Sequence, residues 1–177
     1  MLCYILRPSV VKLLFFKFLY MSLSNYERMI QLADDVFSTK TDADQLSVDE
    51  DVMARLHEIH PASLSEYDDG NGPAAWILVF PTTIALMNDF LERKITEKAL
   101  FDLTPLGVSY DAIYLCSALV LEEYRNKGIA KKLTLDAIEQ IRKDHPIKFL
   151  FVWAFTKEGD IVSNKISLEV GLPILKF

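Results

Sequence analysis

Apolar and polar residues recur along this chain at helical spacing in several stretches. Two capping-box patterns, each a serine followed three residues later by a glutamate, mark the first stretches: Ser24 with Glu27 and Ser47 with Glu50. In such a pair, each side chain bonds the backbone N–H of the other residue at a helix start. The two pairs predict helices over about 24–38 and 47–60, and Pro61 is expected to end the second.

Three later helices are predicted from apolar stripes and terminal signals. The first stripe consists of Ile84, Met87, Leu91 and Ile95. Thr82 or Thr83 is expected to cap this helix, and a further turn or two is expected to continue it to Leu103. A second stripe begins directly after Gly128 and lies opposite charged positions. It consists of Ile129, Leu133, Ala137, Ile138 and Ile141. A last helix over about 160–170 is expected to end at Gly171, where a left-handed cap belongs.

Short apolar runs bounded by proline and glycine predict the strands. These runs cover 75–80, which Pro81 is expected to end, and then 110–121, 148–155 and 173–177. The run at 148–155 is almost entirely apolar, as expected of a strand that is buried on both faces. The order strand, helix, strand between 110 and 155 indicates a parallel crossover. Residues 66–72 are expected to form a polar turn.

The length of 177 residues suits one domain, and 51% hydrophobic and 25% charged residues are typical of a globular protein. We expect residues 21–177 to form that domain. Residues 1–20 hold an apolar run that Lys12 and Lys17 interrupt, too short and too charged to cross a bilayer. They also lack a signal-peptide cleavage site, so we interpret them as a mis-called or disordered extension before Met21. The alternative is an amphipathic element that packs on the domain or on a membrane.

The net charge of −6 is unevenly distributed along the chain. Residues 1–20 carry three bases and no acid, whereas residues 34–69 carry eleven acids against Lys40 and Arg55. No nucleic-acid partner is expected, because such proteins usually present a basic face. The acidic stretch has two interpretations, which are solubility and a negative rim that attracts a cationic amine.

Cysteine and histidine usage points away from a disulfide framework and from a metal site. Cys3 and Cys116 are the only cysteines, so a reducing cytoplasm is the simplest setting and we expect a cytoplasmic protein. His57 and His60 are spaced for one helix face, but the sequence offers no third ligand and no His-Glu-x-x-His motif. No metal is therefore predicted.

Residues 120–130, between the long strand and the helix after it, have the composition of an anion socket. A turn with one glycine directs consecutive backbone N–H groups into a concavity, and the following helix adds the positive end of its dipole. Pyrophosphate is the expected occupant, and the flanking bases suit several negative charges: Arg125, Lys127, Lys131 and Lys132. Walker A and dinucleotide-binding loops are excluded, because the former needs Lys-Ser or Lys-Thr after its second glycine and the latter needs three glycines.

The loop Arg125-x-x-Gly128-x-Ala130 resembles the Arg/Gln-x-x-Gly-x-Gly/Ala loop of the GNAT superfamily of acetyl-CoA-dependent N-acyltransferases. Val120 followed by Glu123-Tyr124-Arg125 matches the family context, and the resemblance covers roughly 110–177. It implies an α/β (α+β) fold, in which a GNAT-like mixed central sheet is flanked by helices and contains a parallel strand-helix-strand unit that binds coenzyme A. The family's two N-terminal strands are hard to find, since residues 34–72 hold them poorly or not at all.

The resemblance implies acetyl-CoA as the co-substrate, without a metal. Its pantetheine arm would pair like an added strand with the backbone of Ala118, Leu119 and Val120. The pyrophosphate would be held at the loop and helix start, by Arg125, Asn126, Lys127, Gly128, Ile129, Ala130 and Lys131. A backbone N–H near Ala118, freed by a bulge, would stabilise the oxyanion.

Acetyl transfer needs a neutral amine and therefore a proton acceptor. The family position for this base, four residues before the bulge, corresponds to Tyr114. The family position for the acid, four residues before the glycine that ends the last helix, corresponds to Ser167. Both residues depart from the family's usual carboxylate and tyrosine. Cys116 and Ser117 lie on the same strand, but the sequence shows no base placed to activate either as a nucleophile.

The implied function is direct transfer of an acetyl group to a primary amine of a small molecule or peptide. Two alternatives stay open: a non-catalytic acyl-CoA-binding or interaction module with a degenerate acid–base pair, and an acyltransferase that uses a longer acyl group. No membrane span is expected. The apolar tail has two possible roles, a homodimer contact or filling of the sheet: Ile174, Leu175 and Phe177.

Overall fold

The structure is a computed structural model that describes residues 23–36, 45–154 and 156–177. The expectations for residues 1–20 lie outside these ranges. A five-stranded mixed sheet forms the centre, with its strands side by side in chain order: β1 (Leu64–Asp68), β2 (Pro73–Thr82), β3 (Ala112–Val120), β4 (Phe149–Val152) and β5 (Ile174–Lys176). The first three strands pair antiparallel, whereas β3, β4 and β5 run parallel.

The described residues form six α-helices that flank this sheet: α1 (Asn25–Val36), α2 (Glu50–Ile59), α3 (Ile84–Leu91), α4 (Glu97–Leu103), α5 (Ile129–Asp144) and α6 (Lys157–Val170). Two short 3₁₀ turns add to them, at Pro61–Ser63 and Glu122–Tyr124. The predicted α/β class with a mixed sheet is confirmed. The predicted parallel crossover is also confirmed, since α5 connects the parallel strands β3 and β4.

A row of aromatic side chains crosses the middle of the sheet. The register places Phe80 of β2 beside Tyr114 of β3, and Tyr114 beside Phe151 of β4. Phe90 of α3 covers this row, with its ring centroid 5.3 Å from Tyr114 and 6.0 Å from Phe151. Phe177 then stacks on Phe90 at 4.9 Å, so this tail residue fills the sheet face, one of the two roles expected of the tail.

Local signals in the sequence specify several helix ends correctly. Ser24 and Glu27 form the predicted capping box, with Ser24 N donating to Glu27 Oε2 at 2.9 Å and Glu27 N donating to Ser24 Oγ at 3.3 Å. Thr83 caps α3, and Gly171 ends α6 in the left-handed conformation at φ 68°. The helix predicted after Gly128 is confirmed as α5.

The second capping box is wrong, because Asp49 rather than Ser47 caps α2. Its carboxylate accepts a hydrogen bond from Val52 N at 2.9 Å, and the helix begins at Glu50. A carboxylate one residue before the helix accepts hydrogen bonds from the free N–H groups of the first turn as well as a serine does. Its negative charge also interacts favourably with the positive end of the helix dipole. The more C-terminal of the two candidates therefore sets the helix start.

Two strand predictions also need correction. Pro81 does not end β2, which continues to Thr82. Among the described residues, β1 pairs with β2 only up to Leu78. One side of β2 therefore has no ladder partner at Pro81, where a missing N–H is tolerated. Residues 64–68, partly predicted as a turn, form β1 at the sheet edge. The predicted strand 148–155 is shorter, since β4 ends at Val152.

The helix predicted over 84–103 is two helices. Helix α3 ends at Leu91, and Arg93 adopts a left-handed φ of 61° two residues later, which does not continue a helix. Thr96 then caps α4 by accepting a hydrogen bond from Ala99 N at 3.1 Å. This break brings Glu97, the first residue of α4, against the central strand β3.

Candidate functional site

The loop between β3 and α5, residues 121–128, contains two left-handed residues. Asn126 has a φ of 60° and Gly128 a φ of 76°, and α5 begins at the next residue. A Cβ at Gly128 would meet no atom within 4 Å, so the space beside it is open. Arg125, an exposed residue, supports the turn, because its Nε donates to the carbonyl of Val120 at 3.0 Å. We call residues 121–128 the anion loop.

The start of α5 has free backbone donors. No side chain of the described residues caps this helix, and Lys132 N, which donates to Gly128 O at 2.9 Å, makes the first bond of its ladder. The N–H groups of Ile129, Ala130 and Lys131 therefore have no partner within the helix. Together with the positive end of the helix dipole, these donors favour an anion beside Gly128.

The basic side chains around the anion loop have different partners. Lys127 Nζ lies 5.1 Å from the centroid of the Tyr124 ring, a cation–π contact that keeps the ammonium beside the loop. Lys131 Nζ lies 2.7 Å from Glu169 of α6, and Lys132 is exposed. Lys127 and Lys132 are thus the charges most available to an anion, whereas Arg125 and Lys131 hold the loop and helix in place.

The sheet opens directly beside this loop. Among the residues that the structure describes, β3 and β4 pair only from Ala112 with Phe149 to Leu115 with Val152. Beyond Leu115, β3 continues to Val120 while pairing only with β2 among the described residues. Residues 116–120 therefore have an open edge toward β4, and the candidate pantetheine-binding residues Ala118, Leu119 and Val120 all lie on it. Unpaired strand edges of this kind can pair with an extended ligand.

A bulge marks the point where the sheet opens. Leu78 of β2 pairs with Ser117, while Val79 pairs with Leu115, so Cys116 is an extra residue in β3. The bulge lies two residues before the predicted position near Ala118. The residue four positions before it is Ala112 rather than Tyr114, and alanine has no group that can accept a proton.

Tyr114, the candidate base, is fully buried in the aromatic row and its hydroxyl donates to Glu97 Oε1 at 2.8 Å. Burial, with smaller contributions from Cys116 and Glu97, raises the pKa of Tyr114 well above its usual value. A tyrosine whose proton is held this firmly is a poor base. Its position instead suits packing and support of Glu97.

Ser167, the candidate acid, closes the end of α6. Its Oγ donates to the carbonyl of Leu172 at 2.6 Å, and Leu172 N donates back to the carbonyl of Ser167 at 3.2 Å. These bonds surround the left-handed Gly171 and direct the chain into β5. The hydroxyl proton of Ser167 is thus committed to the helix end.

Glu97 is the residue that sequence reasoning missed. It is 6% exposed, and its carboxylate bonds Tyr114 and also Cys116, whose Sγ lies 3.5 Å from Oε1. In the sequence it reads as an ordinary acid in the first turn of a helix. The break between α3 and α4 brings it to the bulge, and the one local signal for its position is Thr96-Glu97 as a helix start.

A shallow groove of about 510 Å³ adjoins the anion loop on its outer side, and Arg28, Asp69, Glu123 and Tyr124 contribute to its walls. Arg28 of α1 contacts Glu123 at 2.7 Å and lowers the pKa of that carboxylate. The Tyr124 hydroxyl donates to Asp69 and lowers the pKa of Asp69. These contacts connect the anion loop to α1 and to the turn between β1 and β2.

Within the described ranges, no group of three or more histidine, cysteine, aspartate or glutamate side chains is arranged to hold a metal ion. None of the helices described here combines the length and the apolar character that a bilayer crossing requires. Comparison of the chain with protein-family models, curated proteins and solved structures finds no match in any of the three.

Proposed function

We propose that this chain is an acetyl-CoA-dependent N-acetyltransferase of the GNAT type, which transfers an acetyl group directly to a primary amine of a small molecule or peptide. One observation carries the proposal: β3 leaves β4 after Leu115, and the freed stretch leads straight into the anion loop and the uncapped start of α5. An extended ligand that ends in a diphosphate uses both features at once.

In this proposal, the pantetheine arm pairs with the open edge at Ala118, Leu119 and Val120. The pyrophosphate lies beside Gly128, where the donors of Ile129, Ala130 and Lys131 converge. The thioester then lies near the bulge at Cys116, where the ladder between β2 and β3 is interrupted. A main-chain N–H outside the ladder can bond the thioester oxygen and stabilise the oxyanion.

A second candidate function is a module that binds acyl-CoA without turnover. It is favoured by the hydrogen bonds of the two family positions, since the hydroxyls of Tyr114 and Ser167 both donate to groups inside the protein. An acyltransferase that uses a longer acyl group is a variant of the first proposal, and propionyl- and longer acyl-CoA esters test it. The cytoplasmic location and a homodimer stay predictions.

Binding is tested first, by thermal unfolding with and without acetyl-CoA. We expect acetyl-CoA to raise Tm in the wild type and not in the Arg125→Glu, Gly128→Pro double variant. The matched control is Lys148→Glu, Gly107→Pro, which reverses one basic charge and replaces one glycine by proline away from the loop, at an exposed lysine and at a glycine with φ 70°. Absence of stabilisation by every CoA ester in the wild type would overturn all three candidate functions.

Turnover is tested by amine-dependent release of free CoA thiol from acetyl-CoA. The panel consists of polyamines, aminoglycosides, amino acids and peptides, because the sequence does not specify the acceptor. Release with at least one class supports the transferase. Binding of acetyl-CoA without release on any of these amines supports the module instead.

A further inference from the structure

Glu97 is a buried carboxylate in contact with the point where the sheet opens. Its Oε2 accepts a hydrogen bond from Leu46 N at 2.8 Å, and its Oε1 accepts from the Tyr114 hydroxyl at 2.8 Å and from Cys116 Sγ at 3.5 Å. Among the described residues, no basic side chain forms an ion pair with it. Its partners in the part of the chain that the structure describes are all neutral donors.

A buried carboxylate without a cation is an expensive feature of a fold. Neutral hydrogen bonds only partly replace water around the charge, and a well-packed apolar residue usually fills such a position at less cost. Proteins accept such a local cost chiefly at functional or strained sites. The three donors converge from two separate segments, the residues before α2 and the bulge of β3, so the position of the carboxylate is fixed.

Cys116 connects this carboxylate to the open edge. Cys116 is the bulged residue and follows the last pair of β3 with β4, Leu115 with Val152. Counted over the whole residue Cys116 is partly exposed, whereas Glu97 and Tyr114 are buried, and protein atoms surround the Cys116 sulfur. The thiol therefore lies between the buried carboxylate and the place where the thioester is proposed to lie.

We propose that Glu97 is the group that takes up the proton of the acceptor amine, through the thiol of Cys116; this inference rests on the acetyl transfer proposed above. Glu97 supplies the proton acceptor that Tyr114 does not provide.

The proton and electron balance of the step is complete. An N–H bond of the ammonium breaks, its proton passes to Cys116 Sγ, and the Sγ–H proton passes to Glu97 Oε1. The freed lone pair of the amine attacks the thioester carbonyl carbon. The C–S bond then breaks, its electron pair goes to the CoA sulfur, and a second N–H proton neutralises that thiolate. Glu97 afterwards releases its proton to water, so the net products are an amide, free CoA thiol and one proton.

Cys116 acts here as a relay and not as a nucleophile. Burial, with a smaller contribution from Glu97, raises the pKa of the Cys116 thiol well above its usual value. The thiol consequently keeps a proton at neutral pH, and a relay needs a group that holds one proton while passing another. The titratable side chains bonded to Glu97 are Tyr114 and Cys116, and Leu46 contributes only a main-chain N–H.

The test compares Glu97→Gln with the wild type on whichever amine the panel identifies. Glutamine keeps the size of the side chain but accepts a proton poorly. We expect kcat/KM to fall by about 10²–10⁴-fold, as for loss of a general base, while calorimetry gives an acetyl-CoA Kd within about twofold of wild type. Without an internal proton acceptor the variant depends on amine that is already neutral, so its kcat/KM should keep rising with pH toward the amine's own pKa of about 10.4. Asp102→Asn, an exposed acid on the same helix, is the matched control.

Activity of Glu97→Gln within about threefold of wild type overturns the inference and leaves the transferase intact. A wild type that binds acetyl-CoA but releases no CoA thiol with any amine overturns the transferase and this inference with it. The two failures are therefore distinguishable.

A second pair of variants keeps the inference testable if Glu97→Gln does not fold. Cys116→Ser retains a group that can relay a proton and is expected to keep most of the activity. Cys116→Ala interrupts the relay and is expected to lower kcat/KM by about tenfold or more with acetyl-CoA binding unchanged. Equal activity of the serine and alanine variants overturns the relay.

Discussion

At the scale of single residues, Gly128 is the position with the clearest conformational requirement. Its φ of 76° suits glycine, and the open space around it means that an added methyl group causes strain but no clash. We expect Gly128→Ala to lower the free energy of unfolding by about 1–2 kcal/mol in urea denaturation. Gly107→Ala, at φ 70° and equally open, should lose the same amount. An unchanged free energy of unfolding in Gly128→Ala would mean that the loop does not hold this conformation.

Tyr114 is expected to act through its bond to Glu97 rather than through its acidity. Tyr114→Phe removes one of three donors from a buried carboxylate, so we expect a loss of about 1 kcal/mol in the free energy of unfolding. Urea denaturation measures it, and Tyr26→Phe, at an exposed tyrosine, is the control. Unchanged stability of Tyr114→Phe would show that the hydroxyl contributes nothing to holding Glu97.

His145 gives the fold a pH dependence in the acid range. Burial, and after it the nearby His60, lowers the pKa of His145, against an opposing effect of Asp144. The folded state therefore resists protonation, and the stabilisation is present above the ordinary pKa of about 6.5 and is lost as the pH falls below it.

We expect the free energy of unfolding to decrease between pH 7 and pH 5, and to decrease less in His145→Gln. Urea denaturation at several pH values measures this slope. His57→Gln, an exposed histidine of α2, is the control. If His145→Gln leaves the slope at its wild-type value, the dependence has another origin.

The left-handed end of the last helix was predictable from sequence, and the buried acid was not. Gly171 adopts the left-handed conformation expected of it, because few other residues do so at low cost. Glu97 escaped prediction because burial depends on what lies across the sheet. A carboxylate in a first helical turn has the same local sequence whether it faces water or Tyr114.

At the scale of elements, helix α2 offers a direct test of which residue caps it. Asp49→Ala removes the acceptor for Val52 N and should cost about 1 kcal/mol of stability, measured in urea. Ser47→Ala, two residues earlier and also exposed, should change stability by less than about 0.5 kcal/mol. The reverse ranking would restore the capping box that the sequence indicates.

Helices and strands with a continuous apolar stripe were predictable from sequence. Those whose position depends on packing or pairing with distant parts of the chain were not. Helix α5 matches its stripe because Ala137, Ile138 and Ile141 all face the core. Strand β1 was missed because it lies at an edge, where four of its five residues are exposed and no apolar run marks it. The break after α3 was missed because a left-handed Arg93 has no signal in the sequence.

At the scale of the whole molecule, Phe90 connects the central sheet to the end of the chain. It is 1% exposed and packs against Tyr114, Phe151, Trp153 and Phe177. Phe90→Ala should therefore lower the free energy of unfolding by about 3–5 kcal/mol, by loss of apolar burial and formation of a cavity. Leu103→Ala, at a leucine that is 56% exposed, is the control for urea denaturation. A small loss in the free energy of unfolding of Phe90→Ala would mean that packing on Phe90 does not connect the central sheet to the end of the chain.

The arrangement of the sheet gives the proposed function its geometry. In the described ranges, the pairing of β3 with β4 ends at Leu115 and the anion loop begins after Val120, so an open edge and the proposed anion site share one strand. The sequence predicted the loop and the crossover, since both depend on local patterns. It did not predict where the strands separate, because register depends on pairing between distant residues.

Isothermal titration calorimetry with acetyl-CoA tests the central claim, that the main-chain donors at Gly128 and the start of α5 hold a diphosphate. We expect one site per chain in the wild type and in Gly107→Ala, and binding weaker by about tenfold or more, roughly 1.4 kcal/mol, in Gly128→Ala. The added methyl group would occupy the open space beside the loop where the diphosphate is proposed to lie. No heat with the wild type, or equal affinity of the two alanine variants, would contradict the claim.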